Sequence, residues 1–110
     1  MAARATAALA GERQLLLADV ALAECVYVLE SYYEIERIRV AELMRAVMAL
    51  PSVAVVDASL LLRTLEVYEV DGLHFVDAYL VANSETTGVG TVMSFDRAID
   101  RVETVLRIEP

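Results

Sequence analysis

The chain has 110 residues, 58% of them hydrophobic and 24% charged, with a formal net charge of −8. One domain fits that length and a second does not, and so large an apolar fraction excludes a disordered polar chain. All nine basic residues are Arg and the pI is near 4.5, which excludes a nucleic-acid binder working through a basic face alone.

Residues 1–13 are Ala-rich and read as a short helix closed by Gly11, without the long apolar core of a signal peptide. Leu15-Leu16-Leu17 is a candidate strand. Residues 20–33 are apolar almost all round apart from Glu24 and Glu30, the pattern of a buried helix. Cys25 lies inside that run, and a lone cysteine there reads as a buried thiol in a reducing cytoplasm. Residues 36–50 are amphipathic, with Arg39, Glu42 and Ala46 on one stripe and Ile38, Met44, Val47 and Met48 on the other face. Arg37, Arg39 and Arg45 read as a solvated face.

Pro51 stops that helix and interrupts residues 46–56, the longest charge-free stretch. That stretch is well short of the ~18–20 residues a spanning helix needs, so no membrane span is expected. Residues 52–56 are β-branched and read as a buried strand. Residues 58–70 return to helical period, with Ser59, Arg63, Glu66 and Glu69 as the wet stripe. Asp71-Gly72 is a turn, and residues 74–85 form a mostly apolar helix. Gly88-Val89-Gly90 lacks the rest of a dinucleotide fingerprint and reads as a turn before a strand at 91–95. A short helix at 96–101 and a last strand at 105–108 follow. Strands alternating with helices imply an α/β fold with a mostly parallel sheet flanked by helices.

Two acids stand alone in apolar surroundings: Glu24 in Leu22-Ala23-Glu24-Cys25-Val26, and Asp77 in Phe75-Val76-Asp77-Ala78-Tyr79. A buried unpaired carboxylate is expensive, so each must be paired, neutralised or aimed into a polar cleft. For Glu24 the structural alternative is a core acid paired with an Arg. For Asp77 it is a first-turn residue favoured by the helix dipole. Asp96, in Met93-Ser94-Phe95-Asp96-Arg97, stands where a strand meets a helix and doubles as an ordinary N-cap. Ser94 can share its side of the strand end. Asp19 and Asp57 read as caps, and the single His74 as a surface or cleft-rim residue. Carboxylates and a hydroxyl without a Cys or His cluster are hard oxygen donors, suited to Mg²⁺ or Mn²⁺ rather than zinc.

Taken in order, Leu16-Leu17-Ala18-Asp19-Val20-Ala21-Leu22-Ala23-Glu24, Gly72-Leu73-His74-Phe75-Val76-Asp77-Ala78 and Ser94-Phe95-Asp96-Arg97 resemble a PIN domain of the VapC toxin ribonuclease kind. The resemblance covers essentially the whole chain as one PIN-like domain, 1–110, of three layers. It implies a bacterial, cytoplasmic, metal-dependent endoribonuclease that hydrolyses RNA phosphodiester bonds as the toxin of a toxin–antitoxin pair. Glu24, Asp77 and Asp96 become Mg²⁺ or Mn²⁺ ligands and, with Ser94, the catalytic set. The implied partners are RNA, a basic VapB-type antitoxin and a second copy of the chain. A metal between protein and RNA also reconciles the low pI with a nucleic-acid substrate.

One departure bears on activity. Relatives open with a central strand carrying an acid in an Asp-x-Asn context, and this sequence contains no Asp-x-Asn. The expectation is therefore a chain that starts inside the helix following that strand, with the family's first acid absent, Asp19 not matching its place, and catalysis impaired. A missing central strand leaves a gap of two strand spacings, about 10 Å. Whether the chain is an enzyme stays open at this point. The alternative is a non-catalytic PIN domain that binds an antitoxin or self-associates. A third reading is a small α/β interaction domain whose acids are caps and salt bridges.

Overall fold

A computed structural model describes residues 4, 6 and 13–110. Most of the helix expected over residues 1–13 lies outside the described residues. The chain divides into two compact units, Met1–Ala58 and Ser59–Pro110.

In the first unit, β1 (Leu15–Leu16) and β2 (Val53–Ala54) pair in parallel, Leu15 opposite Val53 and Leu16 opposite Ala54. The ladder is closed by the Leu15 N–H donating to the Ser52 carbonyl (2.7 Å) and the Leu17 N–H to the Ala54 carbonyl (2.8 Å). Between them run α1 (Asp19–Ser31) and α2 (Arg37–Met48), which pack on each other. Pro51 cannot donate a backbone bond, and α2 ends just before it, with the Ala49 N–H on the Arg45 carbonyl at 3.1 Å. The exposed Arg39, Glu42 and Ala46 form the expected wet stripe, and Arg39 donates to Glu42 at 2.6 Å.

Five expectations for this unit are corrected, the first for residues 52–56, which are not a buried strand: β2 is half-buried and Val56 is 80% exposed. Helix α1 is not buried all round: Leu22 and Val26, one i, i+4 pair, are its buried residues, while Val20 and Tyr27 are about 70% exposed. Cys25 is exposed rather than buried, because it lies off that narrow stripe. Ile38, at the open start of α2, is 64% exposed. The cap of α1 is Ala18, with Asp19 in the first turn, where its charge suits the helix dipole.

All but the first residue of α3 (Ala58–Glu66) belongs to the second unit, and its Leu60, Leu61, Thr64 and Leu65 are buried at helical spacing. The helix then widens into a π-helical turn, Val67–Asp71, instead of continuing as α to residue 70. It stops at Gly72, which adopts φ 74°, a left-handed conformation available to glycine at little cost. Next come α4 (Phe75–Thr87), β3 (Thr91–Met93), a 3-10 helix (Arg97–Arg101) and β4 (Leu106–Ile108). Strands β3 and β4 pair in parallel, Thr91 opposite Leu106, Val92 opposite Arg107 and Met93 opposite Ile108. Both ladders are therefore parallel, each strand pair joined through helix, as expected for an α/β fold.

The core of this unit joins Leu61, Leu65, Tyr68, Leu73, Ala78, Val81 and Ile99, all fully buried. Burying a leucine this completely contributes about 1.5–3 kcal/mol. Tyr68 meets Phe75 edge to face with ring centroids 6.3 Å apart, across the turn that reverses the chain at Gly72. Helices α3 and α4 are also tied by Arg63, which forks onto Glu85 at 2.7 and 2.9 Å and pairs with Glu66 on its own helix. No helix among the described residues is long and apolar enough to cross a membrane.

Candidate functional site

The second unit brings two of the expected acids together. Asp77 stands in the first turn of α4, three residues after its cap, His74. Asp96 caps the 3-10 helix, its Oδ1 accepting from the Ala98 N–H at 2.9 Å. The Asp77 and Asp96 carboxyls lie within hydrogen-bonding reach of each other, and each shifts the titration of the other. Both structural readings of these residues are thus met, and neither accounts for the second carboxyl at hydrogen-bonding distance.

Local sequence explains the placement. Gly72 turns the chain sharply after the π-helical turn, and α4 starts three residues later. Strand β3 stops at Met93, and Ser94 is fastened to β4 by its N–H on the Ile108 carbonyl at 3.0 Å. The Ser94 hydroxyl accepts from the Asp96 N–H at 3.0 Å, which bends the chain into the 3-10 helix. At the far end of that helix Arg101 donates to the carbonyls of Asp71 (3.3 Å) and Gly72 (3.4 Å). One guanidinium therefore joins the turn before α4 to the helix that Asp96 caps.

The electrostatics follow from this geometry. Burial is the largest influence on Asp77, and the neighbouring Asp96, through its hydrogen bond and charge, adds to it. Together they push Asp77 up to about 6 against the opposing pull of His74. Asp96 is held below the usual carboxylate range, first by the hydrogen bond from Asp77 and then by the Ala98 N–H, with smaller help from His74 and Arg101. The pair thus holds one proton between two carboxyls in mildly acidic solution, Asp77 donating and Asp96 accepting. At neutral pH two like charges face each other there.

Such a pair fits a divalent cation. Two carboxylates within hydrogen-bonding reach supply hard oxygens, and a cation in place of the shared proton removes the repulsion between them. His74 is exposed at the rim and makes no capping hydrogen bond. Among the described residues no three His, Cys, Asp or Glu side chains are grouped to hold a metal ion.

Glu24 belongs to the first unit, where it is exposed on α1. The helix turns about 100° per residue, so Glu24 lies about 200° round from both Leu22 and Val26. The alternative of a core acid paired with an Arg is therefore corrected: Glu24 is exposed, and no ion pair joins it to an arginine among the described residues. It lines a cleft of about 470 Å³ with Ala21, Cys25, Val28, Leu29 and Met44. Cys25 is exposed as a residue, but partial burial of its thiol in this cleft pushes it up, and the neighbouring Glu24 charge adds to that.

Two residues of the site escape a sequence reading. Arg101 looks like the plain end of a short helix. Arg107 stands inside the apolar strand Val105-Leu106-Arg107-Ile108, and a charge in that position is a signal, because a strand buries it only when it has a partner.

Comparison with known proteins adds a family. A family model described as "PIN domain" matches residues 1–105. Curated proteins and solved structures give no match.

Proposed function

The chain belongs to the PIN-domain family, and from that premise we propose that it is a metal-dependent endoribonuclease of the VapC toxin kind. PIN domains are generally nucleases that bind nucleic acid and use divalent metals. The observation that carries the proposal is the carboxyl pair Asp77–Asp96, held at hydrogen-bonding distance where α4 begins and the segment after β3 turns.

In this reading Asp77 and Asp96 hold Mg²⁺ or Mn²⁺, with Glu24 as the family's acid on the first helix and Ser94 as the neighbouring hydroxyl. A divalent cation supplies phosphate neutralisation and a lowered pKa for water. The protein's own part is positional. The Ala98 N–H and the Ser94 hydroxyl fix Asp96, and the start of α4 fixes Asp77. The net charge of −8 makes a cation the natural bridge to an RNA phosphate.

The proposed protein partner is a basic, VapB-type antitoxin, and a second copy of the chain gives a homodimer, in a bacterial cytoplasm. Exposed Val20, Tyr27, Val28, Tyr32 and Tyr33, interspersed with Glu24, Glu30 and Glu34, support a partner that is apolar and basic.

RNA cleavage in Mg²⁺ or Mn²⁺ tests the enzyme reading. The chain should cleave RNA and lose that activity in EDTA and on Asp96→Asn. EDTA-insensitive cleavage, or cleavage unchanged by Asp96→Asn, contradicts it. A second reading, a non-catalytic PIN domain that binds an antitoxin or itself, is favoured by the exposed Val20, Tyr27, Tyr32 and Tyr33. It predicts a native complex and no cleavage.

A further inference from the structure

Asp96 lies in the irregular segment between β3 and the 3-10 helix, where nothing in the backbone ladder holds it directly. Its two local bonds, from the Ala98 N–H and to the Ser94 hydroxyl through its own N–H, orient the residue relative to its segment. They move with that segment and do not by themselves hold it to the sheet. The Ser94 N–H on the Ile108 carbonyl at 3.0 Å ties its start to β4, and one side chain of β4 holds the segment on both sides of Asp96. Arg107 sits in β4, in register with the buried Val92 of β3, and its side chain is only 10% exposed.

From there its Nη1 donates to the Ser94 carbonyl at 3.0 Å, two residues before Asp96. Its Nε and Nη2 donate to the two carboxylate oxygens of Asp100 at 3.0 and 3.1 Å, four residues after Asp96. A single guanidinium thus grips the segment on both sides of Asp96. Such a fork has fixed geometry, because it is planar and its donors are rigidly spaced. The remaining contact, Nη1 to Glu109 at 3.2 Å, leads out to the chain end and touches nothing in the segment.

We infer that Arg107 is the positioning residue of Asp96: by clamping Ser94 and Asp100 to β4, it sets where the Asp96 carboxylate stands relative to Asp77. The inference rests on the reading of that pair as the working site.

The test uses the full chain with Arg107→Lys, Arg107→Met, Asp100→Asn and Glu109→Gln. Two quantities are read: hydrogen exchange of the Ala98 amide, which reports the Asp96 cap, and Mn²⁺ binding by calorimetry. Losing the clamp should speed Ala98 exchange about tenfold and weaken Mn²⁺ binding roughly tenfold in Arg107→Met. Lysine keeps the charge but not the fork, so Arg107→Lys should not rescue either quantity. Asp100→Asn should fall in the same direction, and Glu109→Gln should match the native chain.

Native-like exchange in a folded Arg107→Met or Arg107→Lys chain overturns the inference. If Arg107→Met does not fold, Arg107→Lys and Asp100→Asn decide it. If the native chain takes up no Mn²⁺, the cation reading fails while Ala98 exchange still decides the role of Arg107.

Discussion

The carboxyl of Asp77, at the start of α4, lies within hydrogen-bonding reach of the carboxyl of Asp96, at the cap of the 3-10 helix. Two acids this close share a proton or a cation. In the metal-free chain the proton makes a pH prediction with a definite sign. Folded Asp77 keeps its proton up to about 6, whereas an unfolded aspartate loses it near 3.8. Between those values the folded state binds more protons, so stability from Asp77 is complete below the lower value and is lost as pH rises through the upper one. The depressed Asp96 acts in the opposite sense at lower pH, outside that window. Asp77→Asn, whose amide donates at every pH, should therefore gain stability relative to the native chain between pH 4 and 6.5. Urea unfolding across that range measures it, and parallel curves for the two proteins contradict it.

Capping and charge at Asp96 are separable. Asparagine caps as well as aspartate, so Asp96→Asn should fold within about 0.5 kcal/mol of native while losing cation binding. Asp96→Ala removes the acceptor for the Ala98 N–H as well and should lose about 1 kcal/mol. Denaturant midpoints and a Mn²⁺ titration of the two variants read both quantities.

Glu24 gives a test of its exposure. A buried ion pair broken on one side loses about 3–5 kcal/mol. An exposed side chain off the buried stripe changes stability by less than about 0.5 kcal/mol. Glu24→Gln should show the smaller value, and the thiol of Cys25, freed of the neighbouring charge, should react faster with a disulfide reagent.

Gly72 is strained for any other residue. Its φ of 74° disfavours a side chain, and a Cβ there meets Arg101 Nη1 at 3.3 Å. Gly72→Ala should destabilise the chain by about 1–2 kcal/mol from the backbone conformation alone. It should also perturb Arg101, which fastens the turn to the 3-10 helix. Thermal unfolding with NMR shifts at Arg101 checks both.

Order and type of the elements are legible from residue 15 onward because their signals are local. Pro51 ends α2, Asp71-Gly72 marks the turn, and β-branched runs alternate with helical periods. Burial is less legible. Helix α1 is apolar on every side, so its sequence does not say that Leu22 and Val26 form its buried stripe, and both Cys25 and Glu24 are misplaced by that reading. At the site, Asp77 and Asp96 stand out because carboxylates are rare in their surroundings. Arg101 does not, because its partners are the carbonyls of Asp71 and Gly72, which leave no pattern in sequence; Arg107 is marked only as a charge inside an apolar strand, and its partners, the Ser94 carbonyl and Asp100, are not named by that signal.

The most direct measurement is Mn²⁺ added to the ¹⁵N-labelled chain at neutral pH, read as paramagnetic broadening of amide signals. Signals of Asp77, Ala78, Asp96 and Arg97 should broaden first, and the Asp77→Asn, Asp96→Asn double variant should lose that effect. Broadening centred elsewhere, or unchanged in the double variant, contradicts a cation site at the Asp77–Asp96 pair.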